Sequence, residues 1–206
     1  MQIEVWSDLV CPWCYIGFVR LDKAITESGV PGIQVKHHPY QLDRVAAFEP
    51  RRAVEFLAQA YGIDIEDAMA LNEDVSDVAA GEGLTYKLGE SLIANTLLGH
   101  RLLVHAEKFG KSHDLLMRLF HHNFELAEPI FSAEDLKPHA IAVGLDWGVA
   151  LAALESDAYI NEIRESRKRA EEVGVRGTPY FLIDGKAAIN GADSVATLVT
   201  AIRSVI

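Results

Sequence analysis

The chain has 206 residues, half of them hydrophobic, which is enough for one large domain or a small domain carrying an insertion and should bury roughly 70% of the surface its unfolded form exposes. Its net charge of −11 argues against a phosphate backbone as partner, because that affinity is built from clustered Lys and Arg. No apolar run reaches membrane-spanning length, and the start MQIEVWSDLV lacks the basic and apolar regions of a secretion signal, so a soluble cytoplasmic protein with no membrane partner is expected.

Residues 2–6, QIEVW, alternate apolar and polar side chains and are rich in β-formers, which predicts a strand. After the turn-like SDLV, a helix is predicted from about 12 to 28, with Pro12 at its first position, where a missing N–H costs nothing. Phe18, Leu21 and Ile25 follow Cys14 at helical steps. This places Cys14 on the buried stripe and leaves Cys11 at an exposed N-terminal lip. SGVPG ends the helix, and IQVKHHPY, 33–40, reads as a second strand, completing a right-handed βαβ unit.

From Pro50 to Val173 the pattern becomes helical throughout. Val54, Leu57, Ala58 and Tyr61 form one apolar stripe, Leu98, Leu102, His105, Ala106 and Phe109 another, and Leu116, Leu119, Phe120 and Phe124 a third. Gly62, Gly81, Gly110 with Ser112, Ser132, Asp146 and Ser156 divide the helices. The basic run RESRKRAEE, 164–172, is interleaved with glutamates and reads as a solvated helix face. The tail changes again: TPYFLID is a strand, Gly185 a turn, KAAIN a short strand and ADSVATLVTAIRSVI an amphipathic helix. Together the two ends predict a four-stranded mixed sheet with a helical domain inserted between its halves.

Cys11 and Cys14 are the only cysteines, and the loop they would close is too short to brace the fold by chain entropy. Their spacing suits redox chemistry better. An ordinary cysteine is about 3% ionised at pH 7, and only the thiolate attacks a disulfide. At a helix N-terminus the unpaired N–H groups and the macrodipole favour the anion, so Cys11 is expected to have a lowered pKa. A fall to roughly 7 would raise the thiolate fraction about 16-fold and cut its nucleophilicity roughly 5-fold, a net gain of about threefold. Proximity therefore matters more: Cys14, one turn away, can resolve a mixed disulfide on Cys11 intramolecularly.

SDLVCPWCYIG, HHPYQLD, HRLLVHA and GVRGTPYFLIDGKAAINGADS resemble the FrnE-like oxidoreductases of the DsbA-type thioredoxin-fold family, relatives of 2-hydroxychromene-2-carboxylate isomerase and of kappa-class glutathione transferases. The resemblance covers nearly the whole chain. It implies an α/β, thioredoxin-like fold with a large all-helical insertion: a discontinuous domain of residues 1–45 and 174–206, and an inserted helical domain of residues 46–173. It also implies that Pro179 is a cis-proline beside the cysteine pair, and that Thr178 offers backbone groups to an extended peptide or to glutathione. Trp13 brings no positive charge, unlike the histidine of strongly oxidising C-P-H-C relatives. That points to a less extreme Cys11 pKa and a more reducing pair; Trp13 also reads as an exposed apolar lip for substrate docking.

Other residues carry two readings each. Asp8 is either a cap for the following turn or a proton acceptor for one of the thiols. Asp193 and Ser194 either cap the last helix or stand where glutathione-using relatives hold the γ-glutamyl group. The histidine pairs at 37–38 and 121–122 do not have the spacing of a second zinc half-site, so no metal is expected, and His100 and His105 read as hydrogen-bonded residues of a helix. The function expected is a thiol-disulfide oxidoreductase that reduces or isomerises disulfides in the cytosol, acting on a disulfide-containing protein or a small thiol. It needs no cofactor, and glutathione is a candidate substrate or reductant. The alternatives are a glutathione-dependent isomerase or transferase, from whose pattern Cys11 departs because serine is usual there, and a binding module that presents an apolar groove.

Overall fold

The computed structural model describes residues 1–206, which divide into two compact units, Met1–Leu42 with Asn161–Ile206, and Asp43–Ile160.

In the first unit, β1 (Gln2–Ser7), α1 (Pro12–Ser28) and β2 (Gln34–Pro39) form the predicted βαβ motif, with β1 and β2 parallel from Gln2 opposite Gln34 to Ser7 opposite Pro39. Pro12 opens α1, and Gly29 closes it in the left-handed region at φ 68°. The buried side of α1 runs through Cys14, Phe18 and Leu21, then continues through Ala24 and Ser28 rather than Ile25. The tail supplies β5 (Tyr180–Ile183), β6 (Ala187–Asn190) and α9 (Val195–Ser204), in addition to α8 (Ile160–Val173). The sheet order is β2-β1-β5-β6, with β5 antiparallel to both of its neighbours. Asp184 and Gly185, at φ 52° and 68°, are the central residues of the turn closed by Lys186 N donating to Ile183 O at 3.0 Å, within the three-residue connection 184–186 between β5 and β6, and an Asp-Gly pair favours this left-handed geometry.

Both faces of this sheet are covered. On one side Ile3 and Val5 are fully buried beneath α1 and α9, which pack side by side. On the other, α8 docks through small residues: Trp6 Nε1 donates to Ser166 O at 3.3 Å, Ser166 Oγ donates to Pro39 O at 2.7 Å, and Tyr180 Oη donates to Val173 O at 3.1 Å. Trp6, Tyr40, Ala170, Val175, Tyr180 and Leu182 form the apolar cluster beneath it. The division of the chain thus differs from the one expected, since residues 161–173 lie with the sheet rather than with the helical insertion. The charged run at 164–172 is solvated on one side as predicted, but Ser166 and Ala170 bury the other.

The second unit contains α2 (Ala53–Tyr61), α3 (Ile65–Gly81), α4 (Leu97–Glu107), α5 (Ser112–Phe124), α6 (Ala133–Ala142) and α7 (Trp147–Leu154). It is not wholly helical, because β3 (Arg51–Arg52) and β4 (Leu92–Ile93) pair antiparallel. Ser132 and Asp135 form a capping box at α6, and Asp146 caps α7. Leu102, Leu103, Leu115, Leu116, Leu119 and Phe120 are fully buried.

Candidate functional site

The turn after β1 delivers both cysteines to the start of α1. Cys11 occupies the N-cap position in an extended conformation, with no side-chain capping bond, and its N–H donates to Asp8 O at 3.2 Å. Cys14 N donates to Cys11 O at 2.9 Å, which closes the first turn and brings the two residues together. Both are free thiols. Cys11 is not the exposed lip expected from periodicity: only 6% of its surface is accessible, and Cys14 is fully buried. The helical pattern reports which face of α1 is apolar, but carries no information about a loop more than 160 residues away.

That loop is the Thr178–Pro179 segment, whose peptide bond is cis. Cys11 Sγ donates to Thr178 O at 3.4 Å. Thr178 Oγ1 is itself buried and without a hydrogen-bond partner, and the Thr178 side chain stands where it favours a thiolate on either sulfur. Pro179 O accepts from Gly191 N at 2.8 Å, so the residue that follows β6, at the end of the strand away from the hairpin turn, holds the proline. Gly17 gives it room in front, since a Cβ on this residue would come within 2.9 Å of Pro179 Cγ.

The two sulfurs are electrostatically unlike. Cys11 is shifted below the ordinary thiol range, first by a hydrogen bond from the Cys14 side chain, against the opposing effect of burial, and further by Thr178 and by the Cys14 N–H. The charge of Asp8 pushes the other way. Cys14 is shifted well up, first by burial and then by its interactions with Cys11. The direction at Cys11 is the one expected, but its leading cause is the neighbouring thiol rather than the helix end. Chemically, the pair offers one sulfur ready to be an anion and a second held as a proton-bearing partner beneath it.

Asp8 does not cap α1. Its carboxylate, 1% exposed, accepts from Leu9 N at 2.8 Å and from Leu42 N at 2.7 Å, tying the active turn to the chain that follows β2. Trp13 stands outside, with 38% of its surface accessible. Ser194 is the N-cap of α9, accepting from Thr197 N at 3.1 Å, and Asp193 Oδ1 accepts from Ser194 N at 2.6 Å. Arg20 Nη1 of α1 donates to Ala192 O at 2.6 Å, which anchors this loop to the helix that carries the cysteines.

The histidine pairs have other occupations. His37 and His38 face opposite sides of the sheet, the first at 2.8 Å from Ser7 Oγ and the second at 2.9 Å from Glu4 Oε2. His121 pairs with Glu125 and His122 with Glu128. His105 Nδ1 lies 2.8 Å from Tyr159 Oη, and His100 is fully buried. Sequence reasoning missed Gly17, Gly191 and Leu42 as parts of the site. Only Gly17 left a signal, as a residue costly to a helix interior standing three positions after Cys14.

Known proteins resemble this chain in sequence and fold. The chain is 25% identical over 205 residues to YwbO of Bacillus subtilis, covering 93% of this chain and 90% of that protein. A probable DsbA oxidoreductase from Streptomyces coelicolor superposes with a TM-score of 0.93 at 31% identity, covering 99% of this chain and 89% of the other. The cytosolic disulfide reductase DsbM from Pseudomonas aeruginosa, solved with GSH, superposes with a TM-score of 0.69 at 16% identity, covering 99% and 98%. The description "DSBA-like thioredoxin domain" matches residues 2–203, and with its βαβ unit, β5–β6 hairpin and helical insertion the chain belongs to that family.

Proposed function

We propose that this protein is a thiol-disulfide oxidoreductase using the Cys11-Pro12-Trp13-Cys14 pair, and that it reduces or isomerises disulfides in the cytosol. The observation that carries the reading is the unlike ionisation of two adjacent thiols, Cys11 pushed down and Cys14 pushed up, under the carbonyl of Thr178. In this reading the Cys11 thiolate attacks one sulfur of a substrate disulfide. A mixed disulfide forms and the other substrate sulfur leaves as a thiolate that takes up a proton. Cys14 then gives up its proton and attacks Cys11 Sγ, releasing the second substrate thiolate and leaving Cys11 and Cys14 joined, oxidised by two electrons. A dithiol, or two molecules of glutathione, resets the pair.

Thr178 and Pro179 would border the incoming chain, with the Thr178 backbone pairing to an extended peptide or to glutathione. Asp193 and Ser194 would hold the γ-glutamyl end, a role the capping bonds of Ser194 leave open to Asp193 Oδ2. Support comes from the solved DsbM, a cytosolic disulfide reductase bound to GSH on the same fold. No helix here is long and apolar enough to cross a membrane.

The test is a glutathione redox titration of the pair, combined with mass spectrometry of Cys14→Ser after addition of glutathione disulfide or a peptide disulfide. The expected result is a single two-electron transition in the wild type, a mixed disulfide trapped on Cys11 in Cys14→Ser, and no exchange in Cys11→Ser. A Cys11→Ser protein that retained its turnover would point instead to a glutathione-dependent isomerase.

A further inference from the structure

The sheet of the first unit ends at β6, which pairs with β5 on one side and with no strand on the other. In the register that sets Tyr180 opposite Asn190 and Ile183 opposite Ala187, Pro179 falls opposite Gly191, and Gly191 N donates to Pro179 O. Bonded pairs alternate along an antiparallel ladder, so Ala187, Ile189 and Gly191 turn their main-chain groups toward β5, and Ala188 and Asn190 turn theirs outward. Both outward residues are exposed. Such edges are commonly blunted by a charged side chain or a proline, and Ala187–Asn190 contains neither.

Beside this edge an open groove runs between β6 and α9, lined by Ala188, Ile189, Ala196, Thr197, Thr200 and Ala201. Its hydroxyls are already engaged: Thr197 Oγ1 lies 2.9 Å from Ser194 Oγ, and Thr200 Oγ1 donates to Ala196 O at 2.8 Å. Covering this lining therefore strands no side-chain donor. The lining is also uncharged in a chain whose net charge is −11, so a second copy meets no like charge here. The spacing of the layers favours the same occupant. On this face α1 and α9 lie side by side over the four-stranded sheet, and two strands span about 9.5 Å, close to the roughly 8–10 Å between packed helices. A sheet continued antiparallel through β6 therefore continues the helix layer in step, bringing α9 of one copy against α9 of the other through Ala196 and Thr200. A lone extended peptide would pair the edge and leave α9 bare.

We propose that the β6 edge and the adjoining face of α9 form a two-fold interface between copies of this chain. Ala188 of each copy pairs with Asn190 of the other, each pair exchanging both main-chain bonds, and the two Ile189 residues meet at the axis. The interface does not depend on the oxidoreductase reading.

The experiment is sedimentation velocity on the full chain from about 1 µM to about 1 mM, with amide hydrogen exchange at both ends of that range. The expected result is a monomer–dimer equilibrium in which the amides of Ala188 and Asn190 are protected only at high concentration, while that of Ile189, turned toward β5, is protected throughout. Ala188→Pro removes an outward N–H and leaves the bonds to β5 in place. Thr200→Glu sets two carboxylates against each other across the axis. Each should weaken the dimer by at least about 100-fold. Thr200→Glu keeps the test in force if Ala188→Pro fails to fold. A monomer at every concentration, a dimer without concentration-dependent protection of Ala188 and Asn190, or a dimer that survives either folded variant would overturn the proposal.

Discussion

Gly17 and Pro179 sit so close that a methyl group on Gly17 would stand 2.9 Å from Pro179 Cγ and 3.1 Å from Phe181 Cζ. Glycine inside a helix costs about 1 kcal/mol relative to alanine, and here that cost is offset by seating the Thr178–Pro179 loop against the helix that carries the cysteines. Gly17→Ala sets a propensity gain of about 1 kcal/mol against overpacking of about 1–3 kcal/mol. Overpacking wins, because neither ring is the free end of a flexible side chain. The expected result is a lower urea midpoint, by a net loss of about 1 kcal/mol, and slower disulfide exchange as Thr178 O moves off Cys11 Sγ. A variant at least as stable as wild type and equally fast would remove the contact from the account.

The ionisation of Cys11 depends first on the Cys14 side chain. Cys14→Ala should therefore raise the Cys11 pKa toward the ordinary thiol range, seen as a later rise of thiolate absorbance at 240 nm. In the wild type at neutral pH, iodoacetamide should label Cys11 well before Cys14, whose ionisation burial suppresses. The linked stability effects have opposite signs. The depressed Cys11 contributes stability that is present above the ordinary thiol pKa of about 8.5 and is lost as pH falls through its lowered value. The raised Cys14 contributes stability that is present below about 8.5 and is lost as pH rises toward its elevated value. An unchanged Cys11 titration in Cys14→Ala would shift the cause back to the helix end.

The sequence made the scaffold legible where local rules act alone. Pro12 and Gly29 bracket α1, the Asp-Gly pair turns the β5–β6 hairpin, and Ser132 with Asp135 caps α6. The cysteine pair and Pro179 were likewise visible as motifs. What stayed hidden depended on partners distant in the chain. The burial of Cys11 comes with the Thr178 loop, and Asp8 looked like a cap because its true acceptor role involves Leu42, 34 positions on. Helix α8 looked like part of the insertion because it buries only Ser166 and Ala170, residues too small to raise an apolar stripe. The β3–β4 ribbon, two residues on each side, is shorter than any periodicity can register.

Acid should weaken the first unit through His38. Its ring stacks on Trp6 at 4.5 Å and 11°, and burial, with Lys36 adding repulsion, pushes its pKa down to about 4 despite Glu4 nearby. Glu4 is itself pulled down: burial would raise it, but Arg169 Nη2 at 3.1 Å from its Oε1 and His38 outweigh that. A histidine protonated more readily when unfolded makes stability fall as pH drops from about 6.5 toward 4, by up to about 3 kcal/mol. His38→Gln should flatten the urea midpoint across that range relative to wild type. In the second unit His139 is also lowered to about 4 and His105 is lowered as well, so the wild-type slope has more than one source and the difference between the two proteins is the quantity to read. Parallel curves would show that His38 is not protonated on unfolding.

Arg101 holds the end of the second unit together by a fork of bonds to backbone carbonyls. Its Nε donates to Ala158 O at 2.9 Å, Nη1 to Leu154 O at 3.0 Å, and Nη2 to Ala153 O at 2.8 Å and to Ser156 O at 2.5 Å. Arg101 is 7% exposed, and its bond to Leu154 O is buried while the other three are part-buried, so the Leu154 carbonyl has the least access to water as a substitute. Lysine keeps the charge, but its single ammonium cannot reach four acceptors spread over a planar fork. Arg101→Lys should cost about 2–4 kcal/mol through carbonyls left without donors. The loss should be local: amide exchange and protease cleavage should increase first in residues 153–160, while the Cys11 titration stays as in wild type. Uniform acceleration of exchange across the chain would mean that the guanidinium supports the whole fold, and no change would mean that the carbonyls find other donors.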